Sequence, residues 1–474
     1  MTTATTPLHW WTARDLAAAI RRRELSAREV VAWHLERIER VNPRVNAIVS
    51  LRPDEALAEA DAADRRAAQE GERLGPLHGL PIAIKDLEDT AGIRTTYGST
   101  LFADNVPAAD SLLARRLRAA GAILVGKTNT PEFGAGSHTF NEVFGTTRNP
   151  WALDRSAGGS SGGAGAALAA GMLPIADGSD HGGSIRNPAS FNNVVGLRPT
   201  PGLVPAGGTD GDVWDVAAVH GPMARTVGDL ALMLTAIAGP DPRAPLSHGD
   251  PAAFGAEPRG DLRGLRVAWC PDVGGLPIER EVLAVLDDAR ARFAAGGAEV
   301  DDVALDLADA DEAFETLRAV SFLRAFSPIL PQLRRAAKAT VVWNIEQGLA
   351  VDGPAVARAI AIRADVFRAM AALLERFDVL AVPAAQVAPF PADLEYPSEV
   401  AGVTMPHYLG WMRACSRITV SAHPVAAMPA GFTPGGLPVG LQLVGRHRDD
   451  RRLLDHAAAW EAATGFTARH PPLD

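Results

Sequence analysis

The sequence is poor in cysteine and in long apolar runs. Its only cysteines, Cys270 and Cys415, are far apart and outside any Cys-x-x-Cys context, so neither a disulfide framework nor a thiolate metal site is indicated. The longest weakly polar run, residues 162–176, is mostly glycine and alanine and is shorter than the about 20 apolar residues of a membrane-spanning helix. Residues 1–21 lack the apolar core of a secretory signal. We therefore expect a cytoplasmic protein without a membrane span.

An excess of positive charge is also absent. The 474 residues include 46 Lys and Arg against 56 Asp and Glu, which gives a formal net charge of −10. This balance indicates no electrostatic footprint for nucleic acid or anionic lipid. Hydrophobic residues make up 47% and charged residues 22% of the chain, as is typical of a folded globular protein. We expect a small-molecule substrate and no nucleic-acid or membrane partner.

Lysine is the scarcest of the common charged residues. Only Lys85, Lys127 and Lys338 are lysines, and the other basic residues are arginines. Arginine stays protonated in proteins, whereas a buried lysine can lose its proton. A lysine between apolar neighbours is therefore a candidate base, and Lys85 follows the apolar residues 81–84.

The pattern along the chain predicts an α/β fold in one large domain. Residues 1–72 are expected to form a helical layer, with one helix that begins at the capping box Ser26–Glu29 and ends near Pro43, and a second over residues 54–69. Residues 73–240 alternate strand and helix patterns and form the predicted core. Residues 241–474 continue the same domain, with a helical and irregular pocket region at about 309–415.

Two familiar motifs match by letter but not by context. Residues 121–128 fit the phosphate-loop string GxxxxGK[ST], yet their variable positions have the pattern of a strand, which cannot wrap a phosphate. Residues 158–162 fit the GxSxG nucleophile elbow, which needs a preceding strand. The preceding residues 151–157 are polar and predict a turn. Nucleotide binding and an α/β-hydrolase elbow are therefore disfavoured.

A third arrangement uses more of the chain. Lys85 closes an apolar run, Ser160 lies in the glycine-rich residues 158–163, and Ser184 follows two glycines. A flexible surface connection would explain one such loop, but not three elements at intervals of 75 and 24 residues. With these residues the sequence resembles the amidase signature family across most of its length, through residues 77–86, 126–129, 131–133, 148–151, 158–163, 178–188, 196–200 and 436–445.

The resemblance implies a single domain with a central mixed β-sheet and helices on both faces. It also implies a Ser-cisSer-Lys triad in which Ser184 is the nucleophile, Ser160 is the bridging serine in a cis peptide, and Lys85 is the base. Residues near the triad have implied roles as well. The backbone amides of the nucleophile loop would form an oxyanion hole, contributed by His181, Gly182, Gly183 and Ser184. A second segment would border the acyl pocket, namely Gly134, Ala135 and Gly136.

The chemistry of these residue types agrees with the resemblance. A serine hydroxyl is a weak nucleophile and needs a neighbouring base, and the sequence has no obvious Ser-His-Asp spacing. Burial of Lys85 between Ile84 and Leu87 would remove water from its ammonium group and lower its pKa towards the working pH. Neither a metal nor a cofactor is expected, since metal-ligand spacings such as HExxH are absent from the sequence.

Some neighbouring residues are expected to be structural. Asp180 and Arg186 should form an ion pair that holds the nucleophile loop, and Lys127 should be a structural lysine after a strand. Ser161 should bond locally, with a supporting role at most. His181 departs from the small or β-branched residue that many relatives carry, and its ring would contact either the substrate or a neighbouring side chain.

The sequence thus predicts a cofactor-independent serine amidohydrolase. Its substrates would be small aryl or alkyl amides, with carbamates (urethanes) and esters as allied substrates, and the enzyme would be a monomer or homodimer. The alternative is the glutaminase subunit of a tRNA-dependent amidotransferase, which would carry the same triad. The segment of residues 199–219, with Gly207, Gly208 and Trp214, argues against that alternative because the transferase subunit has a Tyr- and Ser-rich run there.

Overall fold

The computed structural model describes residues 7–70, 74–206 and 212–473. Gly207 and Gly208, and residues 71–73 at the predicted boundary of the first segment, lie outside the described residues. The described α-helices are α1 (Ala13–Arg21), α2 (Ala27–Val45), α3 (Pro53–Glu70), α4 (Leu112–Ala119), α5 (Gly162–Ala169), α6 (Arg186–Asn192), α7 (Val227–Ile237), α8 (Arg280–Ala295), α9 (Ala308–Phe326), α10 (Leu330–Ala336), α11 (Ala339–Ala350), α12 (Gly353–Arg376), α13 (Arg413–Val420) and α14 (Asp450–Thr464).

The described strands belong to one large sheet and three small ones. They are β1 (Ile48–Val49), β2 (Pro81–Lys85), β3 (Ile123–Thr128), β4 (Arg148–Asn149), β5 (Ala152–Ser156), β6 (Ile175–Asp180), β7 (Val195–Arg198), β8 (Val219–Ala224), β9 (Arg266–Trp269), β10 (Glu299–Asp302), β11 (Val379–Pro383), β12 (Glu399–Val400), β13 (Val403–Thr404), β14 (Val425–Phe432) and β15 (Pro438–Val444).

The central sheet has eight strands in the order β10-β9-β11-β15-β14-β7-β8-β6. The pairs β10–β9 and β9–β11 are parallel, and the other pairs are antiparallel. This sheet is mixed, as the resemblance implies. A three-stranded sheet in the order β1-β3-β2 places β2 parallel to β3. Helices flank the central sheet. Helix α6 packs on β7, β14 and β15, helix α7 packs on β7 and β8, and helices α8 and α14 pack on β14 and β15.

The N-terminal helices agree with the sequence pattern except at one end. Ser26 and Glu29 form the predicted capping box at the start of α2. The helix continues two residues past the predicted end near Pro43, to Val45. It ends where Asn46 adopts a left-handed conformation with φ 55° and its N–H donates to the Asn42 carbonyl.

One hydrophobic core runs through all three segments that the sequence analysis distinguished. Leu16, Leu230 and Trp460 belong to the same buried cluster. The segment of residues 309–376 is helical, in α9 to α12. The described helices include none that is both long enough and apolar enough to cross a bilayer. The chain therefore folds as one α/β domain, as predicted.

The prediction of a turn over residues 151–157 is wrong. Residues 152–156 form β5, which pairs with β4 in a separate two-stranded sheet. The strand is only partly buried, so its polar residues face solvent and mask the strand pattern in the sequence. Because β5 lies outside the central sheet, it still does not supply the strand of a nucleophile elbow.

The fold brings the start of α5 against the backbone of β3 and its neighbours, and Gly163 makes this approach possible. A Cβ atom on Gly163 would lie 2.4 Å from the Asn129 nitrogen and 2.7 Å from the Ala47 oxygen. We expect Gly163→Ala to lower the free energy of unfolding by about 1–3 kcal/mol through overpacking. Urea denaturation measures this change. Gly353→Ala at the start of α12, where nothing lies within 4 Å, is the matched control, and equal midpoints for the two variants would contradict the prediction.

Candidate active site

Lys85 lies at the end of β2 with its ammonium group fully buried. Its Nζ donates to Oγ of Ser160 at 2.8 Å, to Oγ of Ser161 at 2.8 Å and to Oγ of Ser179 at 3.0 Å. These partners are neutral hydroxyls. Burial lowers the pKa of Lys85 to about 8, and the negative charges of Asp177 and other nearby carboxylates limit the shift. A lysine with this pKa can act as a base near neutral pH.

Ser160 stands in the glycine-rich loop that leads into α5. The Gly159–Ser160 peptide bond is cis, as the resemblance implies. Its hydroxyl accepts the hydrogen bond from Lys85 described above. The contact between the predicted base and the predicted bridging serine is therefore present.

Ser184 lies in the loop between β6 and α6 and is 7% exposed. Its carbonyl oxygen accepts a hydrogen bond from the Ser161 N–H at 3.0 Å, which ties its loop to that of Ser160. The structure has no hydrogen bond between the Ser184 and Ser160 hydroxyls, although both residues are described. The fold thus brings the two serine loops together but leaves the last link of the predicted triad open.

Asp180 organises the nucleophile loop. Its carboxylate accepts hydrogen bonds from Arg186 at 2.8 and 3.0 Å and from the Gly183 and Ile185 N–H groups at 2.9 and 3.0 Å. Burial alone would raise the pKa of Asp180, but the guanidinium groups of Arg186 and Arg198 outweigh it and hold this pKa well below its usual range. The predicted Asp180–Arg186 pair is confirmed.

The backbone amides of the loop are not equally available. The Gly183 N–H is engaged by Asp180, so Gly183 does not offer the free oxyanion donor that the resemblance implies. The reason is the turn after β6, which directs this N–H back to the carboxylate three residues earlier. Among the described residues, none accepts a hydrogen bond from the N–H of His181, Gly182 or Ser184. These three amides are free to bind an oxyanion.

His181 contacts a neighbouring side chain. Its ring packs edge-to-face on Phe314 of α9, with the centroids 5.6 Å apart. Burial lowers the pKa of His181 to about 4, and the positive charge of Arg318 adds to this effect. The imidazole is therefore neutral at physiological pH.

The segment Gly134–Gly136 lies beside Ser160. A Cβ on Gly134 would be 3.5 Å from the Ser160 hydroxyl, and a Cβ on Gly136 would be 3.6 Å from Nζ of Lys338. The Ala135 carbonyl accepts a hydrogen bond from Lys338 Nζ at 2.7 Å. The segment therefore lies between Ser160 and the half-buried Lys338.

Sequence reasoning missed part of the environment of Lys85. Ser179 contacts its Nζ, and Asp177 accepts a hydrogen bond from its backbone N–H at 3.0 Å. Asp177 and Ser179 are two residues apart on β6, so they share one face of the strand. The spacing of these two polar residues in the strand sequence could have predicted that both face Lys85. Ser161, expected to bond only locally, also contacts Lys85.

Lys127 has the structural role that the sequence predicts. It lies within β3, and its Nζ donates to the Glu88 carbonyl and to the Thr90 hydroxyl at 2.8 Å. Gly126 and Lys127 of the phosphate-loop string therefore lie within the buried strand β3, and Gly121 lies two residues before it. The rejection of a phosphate-binding loop is confirmed.

Known proteins are similar to this chain in sequence and in fold. The Amidase family model matches residues 29–454. The chain belongs to the amidase signature family. The match includes both serine loops and the strand that ends in Lys85. The family assignment made from the sequence motifs is thus confirmed.

The similar proteins include amide hydrolases. This amidase is 39% identical over 469 residues to an acylamidase of Rhodococcus erythropolis, with 98% of each chain covered. It is 36% identical to the A subunit of the glutamyl-tRNA(Gln) amidotransferase of Moorella thermoacetica, over 98% of this chain and 99% of that one. The solved structure of a bacterial aryl acylamidase matches with a TM-score of 0.90 at 29% identity and 98% coverage of both chains. The chain is a hydrolase of carbon–nitrogen bonds other than peptide bonds.

The Asp180 carboxylate offers a test of the site's architecture. Asp180→Asn would leave two buried guanidinium groups without their counter-charge. We expect it to lower the free energy of unfolding by about 3–5 kcal/mol, as measured by urea denaturation. Asp261→Asn, in an exposed pair with Arg263, should leave the midpoint unchanged. A midpoint for Asp180→Asn equal to that of the wild type would show that the pair does not hold the loop.

Proposed function

We propose that this amidase cleaves aryl or alkyl amides through an acyl-enzyme on Ser184. The observation that carries the proposal is the contact of 2.8 Å between the buried Nζ of Lys85 and the Ser160 hydroxyl, beside the loop of Ser184. It provides a base and a hydroxyl relay next to a candidate nucleophile. The acylamidase and aryl acylamidase among the similar proteins support the same substrate class.

The proposed cycle begins when neutral Lys85 takes the proton of Ser160 as Ser160 takes that of Ser184. The Ser184 oxygen then attacks the carbonyl carbon of the substrate. For this step the two hydroxyls must come into hydrogen-bond contact, and catalytic contacts often tighten only when the substrate is bound. When the tetrahedral intermediate collapses, the proton returns through Ser160 to the leaving nitrogen. Water then attacks the acyl-enzyme with the same proton route and frees the acid.

The oxyanion of the tetrahedral intermediate would be held by backbone amides. The N–H groups of His181, Gly182 and Ser184 are the donors without an acceptor in the described structure. One such donor typically contributes about 10²- to 10³-fold to the rate. The role of Gly183 in this reaction would be to anchor the loop through Asp180.

The substrate range follows from the acyl pocket and from the reaction. The segment Gly134–Gly136 has small side chains beside Ser160 and leaves room for an aryl or alkyl acyl group. Carbamates and esters present the same electrophilic carbonyl to Ser184, so we propose them as further substrates. We place the enzyme in the cytoplasm as a monomer or homodimer.

A glutaminase within a tRNA-dependent amidotransferase is the second candidate. Its support is the 36% identity to the Moorella thermoacetica amidotransferase protein. That candidate predicts release of ammonia from glutamine and co-purification with partner proteins.

A substrate panel tests the nucleophile and separates the two candidates. The panel holds a 4-nitroanilide, a primary aryl amide, a nitrophenyl carbamate and glutamine. Ser184→Ala should reduce kcat on every cleaved substrate by about 10⁴-fold or more, because it removes the attacking oxygen. Ser247→Ala, whose hydroxyl bonds only within a distant loop, is the control. Equal rates for Ser184→Ala and the wild type would refute the assignment, and a preference for glutamine would select the second candidate.

The pH dependence tests the base. With the Lys85 pKa at about 8, kcat/KM should rise about tenfold per pH unit below pH 8 and level off above it, since only the neutral amine accepts a proton. Lys85→Arg should abolish the activity because arginine stays protonated.

A second variant sharpens the pH test. The carboxylate of Asp177 raises the Lys85 pKa, so Asp177→Asn should move the midpoint of the pH profile below that of the wild type. Asp287→Asn, on the exposed face of α8, should leave the midpoint in place. A midpoint that Asp177→Asn does not lower would contradict the assignment of this titration to Lys85.

A further inference from the structure

Arg318 of α9 is buried among neutral groups. It is 4% exposed. Its Nε donates to Oδ1 of Asn344 at 3.2 Å, and its Nη2 donates to the Tyr408 hydroxyl at 3.0 Å. The guanidinium carbon also lies 4.5 Å from the centre of the Phe322 ring. Among the described residues, no carboxylate lies within ion-pair distance of Arg318, and none accepts a hydrogen bond from its Nη1.

Three other buried arginines have carboxylate or backbone carbonyl partners. Arg186 and Arg417 pair with carboxylates at 2.8 and 2.7 Å. Arg225 has no such pair but donates to backbone carbonyls through both of its Nη atoms. A buried charge is costly unless it is paired or fully hydrogen-bonded. The Nη1 atom of Arg318 has no partner among the described residues and is not fully enclosed, although the residue is only 4% exposed.

The contacts of its neighbours place Arg318 near the active site. Phe314, one turn earlier on α9, packs on His181, and a Cβ on Gly182 would lie 2.7 Å from its ring. On the other side, the Tyr408 ring that holds Arg318 would lie 3.9 Å from a Cβ on Gly136. Arg318 therefore stands between the nucleophile loop and the segment that borders the acyl pocket. The effect of its charge on the pKa of His181 agrees with this position.

We propose that Arg318 binds a carboxylate on the acyl side of the substrate, so that the preferred substrates are monoamides of dicarboxylic acids. The inference rests on the proposed function and deepens it. A guanidinium group is suited to a carboxylate because it can donate two parallel hydrogen bonds. Nη1 and the second N–H of Nη2 are left for these two bonds, while Asn344 and Tyr408 accept from Nε and from the first N–H of Nη2 and hold the guanidinium in place. The neutral His181 adds no competing charge.

Paired substrates test the proposal. The probes are the mono-4-nitroanilides of succinic, glutaric and adipic acid, each matched with the neutral 4-nitroanilide of butanoic, pentanoic or hexanoic acid. For at least one chain length the wild-type kcat/KM should favour the carboxylate by about tenfold to 100-fold, mainly through KM. Arg318→Met should abolish this ratio, and Arg318→Lys should restore part of it. Arg324→Met, on the same helix with a half-exposed side chain, should leave the ratio unchanged.

Binding to Ser184→Ala separates this inference from the proposed function. Isothermal titration calorimetry of the same probes against Ser184→Ala, with and without Arg318→Lys, reports the preference without turnover. A carboxylate preference that Arg318→Lys weakens supports the proposal even if the wild type cleaves no anilide, a result that would refute only the proposed function. Equal affinity for carboxylate and neutral probes at every length would overturn the proposal, as would a preference that neither Arg318 variant changes.

Discussion

The burial of one ammonium group is the constraint on which the active site depends. Lys85 is buried at the end of β2, and its Nζ donates hydrogen bonds to the hydroxyl oxygens of Ser160, Ser161 and Ser179. Hydroxyls compensate an ammonium less completely than carboxylates do, so the neutral amine becomes accessible near pH 8. The carboxylate of Asp177 contacts the backbone of Lys85 and not its Nζ. A carboxylate in direct contact with Nζ would raise the pKa and remove the base.

The buried carboxyl group of Asp180, at the end of β6, is stabilised in its charged form instead. Asp180 is also buried, yet the guanidinium groups of Arg186 and Arg198 and two backbone N–H groups keep its carboxylate charged. This charge holds the turn after β6, because the Gly183 and Ile185 N–H groups donate to the carboxylate. The site thus combines one buried group that can exchange its proton with one that cannot.

Local sequence accounted for the chemistry better than for its surroundings. The apolar run before Lys85, the glycines around Ser160 and Ser184, and the spacing of Asp180 and Arg186 are all local patterns, and the fold, the family and that ion pair could be predicted from them. The engagement of Gly183 by Asp180, the strand β5 and the cover of the loop by Phe314 could not. The contact with Phe314 depends on the three-dimensional path of the chain. The other two features are local, but a glycine-rich loop does not specify which N–H turns back to the carboxylate, and the solvent-facing polar residues of β5 hide its strand pattern.

The residues proposed for the reaction and those proposed for substrate selection come from different parts of the chain. The proposed triad and its amides come from residues 85–184, whereas Phe314, Arg318 and Tyr408 come from helices and loops far along the chain. Of these three, Phe314 contacts the nucleophile loop, through the packing of its ring on His181. If Arg318 binds the acyl group as proposed, substitutions on α9 would change which acyl group is accepted while the contacts of Lys85 stay the same. The similar proteins include an acylamidase and an amidotransferase subunit, and such a separation would let the substrate differ while the pKa of the base is kept.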